Sequence, residues 1–201
     1  MMSFTDTEKL TQEILSELDT NSMRSTVERF NLMNRYTGHP DGEAAVDYIV
    51  KRLEEYKVPY ERLSYDAYVS LPIDACVDVI TPEKKSIYAI AHVYSGEARN
   101  LCAPLFYDKL SEQKSLSQKE QKARFAAFKG KIVLTRSSGG SFAKMAAEAG
   151  AAGVIHFWPS GEKWVHHGTA GNVWGTPVPR DLDQFCFLPF VDMTKGTANI
   201  C

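Results

Sequence analysis

A chain of 201 residues with 44% apolar and 24% charged side chains is long enough for one ordinary domain with an appendage, and its composition is neither that of a disordered nor of a membrane-spanning protein. Its net charge of −2 provides no surplus of Lys and Arg to displace counterions from a phosphate backbone, which excludes nucleic acid as the expected partner. The opening MMSFTDTEKLTQEILSELD carries acidic residues and no apolar run of signal-peptide length, so a cytoplasmic location is expected, or an extracellular one if a leader has been trimmed.

The first third reads as helical. Thr5 with Glu8 and Ser25 with Glu28 both fit the capping box, in which a hydroxyl and a carboxylate satisfy N–H groups that the first turn leaves unpaired. Leu10, Ile14 and Leu18 give the first helix an apolar face, and Val27, Phe30 and Met33 do so for the second. The turn cluster 36–42 offers Asp41 as N-cap of a third helix, marked by Ala45, Tyr48, Ile49, Leu53 and Tyr56 and ended at Lys57-Val58-Pro59.

From there the texture is β. The runs 58–69, 73–80, 86–94 and 102–107 are rich in β-branched and aromatic residues and are separated by turn residues. Ile73, Ala75, Val77 and Val79 alternate with Asp74 and Asp78, so one strand face should meet a core. Residues 109–129 are polar, with Ser117 and Glu120 capping what reads as an exposed, inserted helix. Next, 130–134, 141–149 and 153–157 spell strand, helix, strand with Gly150 at the helix end, a βαβ unit whose strands must be parallel. Residues 158–186 form a long turn-rich stretch, and 187–191 a last apolar strand.

Cys76, Cys102, Cys186 and Cys201 lie far apart with no CxxC spacing, so buried thiols are expected and neither a zinc knuckle nor a redox dithiol. The Ser137–Ser141 run opens a helix after a strand but lacks P-loop or GxGxxG spacing, so it reads as a tight turn. No GxSxG, HExxH or papain-like signature is present, and Asp181 and Asp183 read as solvated charges.

The residues Lys129-Gly130-Lys131-Ile132-Val133-Leu134, Ser141-Phe142-Ala143-Lys144, Ala146-Ala147-Glu148-Ala149-Gly150-Ala151-Ala152-Gly153-Val154-Ile155 and Leu188-Pro189-Phe190-Val191 resemble the protease-associated domain. Arg35-Tyr36-Thr37-Gly38-His39-Pro40 and the helix after it are similar to the opening of di-zinc exopeptidases, a group that includes secreted aminopeptidases, glutamate carboxypeptidase and the catalytically dead transferrin receptor. Val173-Trp174-Gly175-Thr176-Pro177 resembles a segment of bacterial members.

The resemblance implies an α/β (α+β) fold: a helical segment over 1–64, then over 65–201 a protease-associated domain with a mixed sheet or open barrel and a βαβ unit. It implies a non-catalytic accessory region of a zinc metallopeptidase, a lid or wall restricting access of peptide substrate. The catalytic peptidase domain, with its zinc, is expected C-terminal to Cys201 of the same polypeptide. A freestanding peptide- or protein-binding module without peptidase activity is the alternative, and a homodimer is compatible with either.

No catalytic residue, metal ligand or cofactor is expected within the chain. His92, in Ala91-His92-Val93-Tyr94, sits as the family's His-x-Asp histidine would, but Tyr94 stands where the carboxylate belongs, so His92 is expected to be a structural strand histidine. Neither His166 nor His167 is expected to hold a metal, since in an extended segment they point to opposite sides. Trp158, Trp164, His166, His167, Trp174 and Arg180 are the expected substrate- or partner-facing residues: rings that fasten a loop also serve as contact residues, and Arg180 can pair with a carboxylate.

Overall fold

The computed structural model describes residues 4–162, 165, 166, 168–171 and 187–198. Contacts divide the chain into two compact units, Met1–Ser64 and Tyr65–Cys201.

In the first unit three helices form, α1 (Phe4–Ser16), α2 (Thr20–Asn31) and α3 (Pro40–Glu55). Their starts differ from the capping residues expected. Helix α1 already includes Phe4, so Thr5 is not its N-cap. Asp19 caps α2 by accepting from the Asn21 N–H, which leaves Ser25 in mid-helix donating to the Ser22 carbonyl. An acidic cap also suits the positive helix end. His39 caps α3 through Nδ1, Pro40 takes the first turn, and Asp41 instead accepts from the Asn34 N–H at 2.9 Å. Helices α2 and α3 are joined by Thr26 to Tyr48 (2.9 Å), Arg52 to Ser22 (2.9 Å) and the Phe30–Tyr48 edge contact. Leu10 and Ile14 of α1 are exposed, as is Leu18, which lies two residues past its end.

No strand forms over residues 58–69. Tyr60 donates to Glu54 and Arg62 to Asp47 and Glu43, while Val58, Leu63 and Tyr65 are exposed. β-propensity measures fit to a half-buried pleated surface, and these residues have no neighbouring strand to supply one.

The second unit is a mixed six-stranded sheet in the order β1-β2-β6-β5-β4-β3, with strands β1 (Ala75–Val79), β2 (Lys85–Ala91), β3 (Leu105–Tyr107), β4 (Ile132–Thr135), β5 (Gly153–Trp158) and β6 (Phe190–Thr194). Strands β3 to β6 are parallel, and β2 and β1 join antiparallel. The fold is thus α+β with a mixed sheet. Alternation in β1 follows the sequence pattern from Ala75 to Val79, but Ile73 lies outside the strand and is exposed. The closing strand begins at Phe190, three residues later than its apolar run suggests, because Gly96 and Ser95 engage Leu188 and Phe190 by hydrogen bonds before the ladder starts.

The βαβ unit is β4, α5 (Gly140–Glu148) and β5. Gly139 enters the helix at φ +91° and Gly150 leaves it at φ +77°, conformations in which a Cβ is strained. The Gly150 N–H bonds the Ala147 carbonyl and the Ala151 N–H that of Ala146, the paired closure of a Schellman motif. Helix α4 (Gln118–Ala126) carries the complete Ser117–Glu120 capping box. It is less detached than an exposed insertion: Phe125 packs on the core, and Phe128 just beyond it is fully buried.

Each sheet face carries an apolar cluster. Val133, Val154 and Phe190 meet Phe128, Phe142, Ala143 and Ala146 on one side, while Ile155 and Met193 meet Ile87, with Ile132, Leu134 and Val191, on the other. Cys76 and Cys102 are exposed free thiols, which overturns the expectation of burial for those two; Cys186 and Cys201 lie outside the described residues. Cys76 alternates outward from Val77 in β1, and strand parity outweighs the thiol's apolar preference.

Candidate functional site

Parallel register places Thr135, the last residue of β4, opposite His156 within β5, and His156 opposite Asp192 at the middle of β6. Asp108, one residue past β3, continues the row and accepts from the Thr135 hydroxyl at 2.8 Å. Side chains in register share a sheet face, so four polar residues line up across one face of the sheet. All four are buried.

The two ends of the row are satisfied differently. At one end Arg124 closes on Asp108 through Nε (3.0 Å to each oxygen) and Nη2 (2.6 Å), and also reaches Ser137. Its guanidinium lies 5.4 Å from the ring centroids of both Phe125 and Phe142. This is a paired, buried charge holding α4 to the sheet.

At the other end Asp192 stands between two histidines. Its Oδ1 is 2.5 Å from His156 Nδ1, and its Oδ2 is 2.8 Å from His92 Nε2 and accepts from the Gly168 N–H at 3.1 Å. Burial pushes the Asp192 carboxyl upward, but its contacts with His156 and His92 outweigh that and hold it below the usual carboxylate range. The His92 ring stacks on Phe190 with centroids 3.9 Å apart and planes 14° from parallel, and its side chain has no exposed surface. Although Nε2 is this close to the carboxylate, neither ring nitrogen makes a hydrogen bond.

Above the three side chains lies the segment 168–170. Val93 donates to the Gly168 carbonyl and Ala170 to that of Val93, forming a short parallel bridge at Val93 and Thr169. Only glycine fits at 168, since a Cβ there would lie 2.3 Å from His92 Cε1 and 2.6 Å from Nε2.

Of the residues expected to face a substrate or partner, Trp158 and His166 are exposed and pack against each other with ring centroids 5.4 Å apart; Trp158 also meets the edge of His156 at 6.0 Å. Trp164, His167, Trp174 and Arg180 lie outside the described residues. Sequence reasoning weighed His92 alone and did not connect it with His156 or Asp192. The signal was there: each is a single ionisable residue inside an apolar strand run, in Ile90-Ala91-His92-Val93, Val154-Ile155-His156-Phe157 and Phe190-Val191-Asp192-Met193.

Among the described residues His92, His156 and Asp192 form the group of three or more His, Cys, Asp or Glu that could hold a metal ion. One carboxylate and two imidazoles do not fit the zinc pair of a di-zinc exopeptidase, which calls for several carboxylates. No helix among the described residues is long and apolar enough to cross a membrane.

No protein-family model matches the chain, and no curated protein matches it in sequence. Among solved structures, it is similar to a zinc aminopeptidase from Bacillus subtilis, with a TM-score of 0.46 and 23% identity over 80% of this chain. A second, medium-resolution structure of that enzyme gives a TM-score of 0.45 and 22% identity over the same share. The chain spans 35% of the length of that aminopeptidase.

Proposed function

We propose that this chain is a non-catalytic accessory region of a zinc exopeptidase, a wall or lid that restricts which peptide ends reach a peptidase domain lying C-terminal to it in the same polypeptide. The observation that carries the reading is the βαβ unit: the residues that resemble the protease-associated domain, from Gly130 to Ile155, form β4, α5 and β5 at the centre of a mixed sheet, with Leu188-Pro189-Phe190-Val191 leading into the adjoining strand β6. Zinc-activated water attacking a terminal peptide bond is the chemistry of that expected domain, and no step of it is assigned to residues here. In this role the exposed Trp158–His166 pair belongs to the edge offered to peptide substrate or to the peptidase domain.

The test has two arms. Purified chain 1–201 is assayed with aminoacyl and peptidyl chromogenic substrates; chelator-sensitive cleavage by it overturns the reading. A reading frame extended past Cys201 is then compared with and without residues 65–201. Loss of the accessory region is expected to change KM for long peptides more than for aminoacyl anilides, and an unchanged ratio between the two would count against a wall or lid.

A further inference from the structure

The sequence set His92 aside because residue 94 is a tyrosine and not a carboxylate. The fold supplies a carboxylate from elsewhere, and we propose that His92, His156 and Asp192 bind a single divalent ion of the zinc class, which fastens the segment 168–170 against this face of β5 and β6. This inference does not rest on the peptidase reading.

The donor set narrows the ion. Two imidazoles and one carboxylate suit zinc, cobalt or iron(II), whereas magnesium and calcium call for oxygen ligands and copper(I) for sulfur. The donor atoms all lie within 4.8 Å of one another and all three residues are buried. Their positions are fixed by backbone pairing and stacking: His156 and Asp192 are register partners on adjacent strands, and the His92 N–H bonds the Phe190 carbonyl while its ring lies on the Phe190 face. Such rigidity is what a metal site requires of its ligands.

A second observation concerns His92, whose Nε2 lies 2.8 Å from Asp192 Oδ2. The His92 side chain is wholly buried, yet both of its ring nitrogens lack a hydrogen bond. Buried imidazoles are almost always paired, and a lone pair on Nε2 directed at a cation would satisfy that nitrogen. The carboxylate carries the further hydrogen bond expected of a metal ligand, from the Gly168 N–H to Oδ2.

The present contacts of 2.5 and 2.8 Å between donors are shorter than the roughly 3.3 Å separation set by zinc bonds of about 2.0–2.1 Å in tetrahedral geometry. Binding therefore requires the side chains to part by several tenths of an ångström. Three protein ligands leave one coordination position for water.

The experiment uses the full chain, stripped of metal by chelator and titrated with Co2+ and then with competing Zn2+. One equivalent of Co2+ is expected to produce the visible d–d bands of a four-coordinate site, and Zn2+ to bleach them. Asp192→Asn and His156→Gln are each expected to weaken binding by about 100-fold or more, a loss at or above that seen for outer-shell changes. His166→Asn, in the exposed ring pair nearby, should leave it unchanged. Near-UV circular dichroism shows whether each variant is folded. Failure of the unaltered chain to take up Co2+ overturns the proposal whatever the variants do; so does uptake that survives both ligand substitutions, or that His166→Asn abolishes.

Discussion

Replacing Arg124 with Met keeps most of the side-chain volume among Phe125, Phe128 and Phe142 while removing the guanidinium from Asp108. The carboxylate is 1% exposed and the guanidinium side chain 10%, so water does not take over the lost contacts. Asp108 Oδ1 loses its Arg124 Nε contact, and Oδ2 keeps only the Thr135 hydroxyl of the side-chain partners described. Removing one partner of a buried pair typically costs about 3–5 kcal/mol, because the remaining charge stays desolvated. Asp108→Asn in the same background replaces that charge with a neutral amide, so the double variant should regain part of the loss, a coupling on the order of 1–3 kcal/mol. All three tryptophans lie between positions 158 and 174, within the second unit, so their fluorescence during urea unfolding reports this unit alone. With a slope of roughly 1–3 kcal/mol per molar urea, the midpoint for Arg124→Met should fall by about 1–5 M. Arg99→Met, which breaks the exposed pair with Glu97, serves as control and should leave the midpoint in place. If Arg124→Met shifts the midpoint no more than Arg99→Met does, the buried pair does not fasten α4 to the sheet and the reasoning fails.

Phe128, fully buried against Phe106, Phe125 and Phe142, should cost about 3–5 kcal/mol when cut to Ala, measured by the same unfolding curve; a loss under about 1 kcal/mol would mean that the residues after α4 are not part of the core. Gly96→Ala places a Cβ 1.7 Å from the Phe187 carbonyl oxygen, a backbone atom that cannot swing aside, so the variant is expected to lower the thermal midpoint clearly; an unchanged midpoint refutes this close approach. Because folding holds the Asp192 carboxyl below its ordinary range, its contribution to stability is complete above the unfolded-chain value of about 3.9 and is lost as pH falls through the lowered folded value. Urea midpoints taken between neutral pH and the acid limb should therefore fall more steeply for the parent chain than for Asp192→Asn, and parallel curves would contradict the shift.

The sequence by itself determined what neighbours along the chain decide. The Ser117–Glu120 box started α4, Gly139 and Gly150 bracketed α5, and the β4-α5-β5 unit with its parallel pairing followed from one strand, one short helix and one strand. Local signals faltered where several residues compete for the same end: Asp19 displaced Ser25 and His39 displaced Asp41, because a capping side chain acts only from the turn where the backbone leaves the helix. The strand expected over 58–69 failed for a non-local reason, since a strand exists only when another supplies its ladder, and Glu54, Asp47 and Glu43 hold Tyr60 and Arg62 elsewhere. The polar row is the furthest from sequence. Asp108, Thr135, His156 and Asp192 are scattered along the chain, and only the strand order and its register bring them onto one face, with His92 laid against Phe190 beside them. Order and register are set by which apolar faces bury each other across the whole sheet, an outcome of tertiary packing that no single segment encodes.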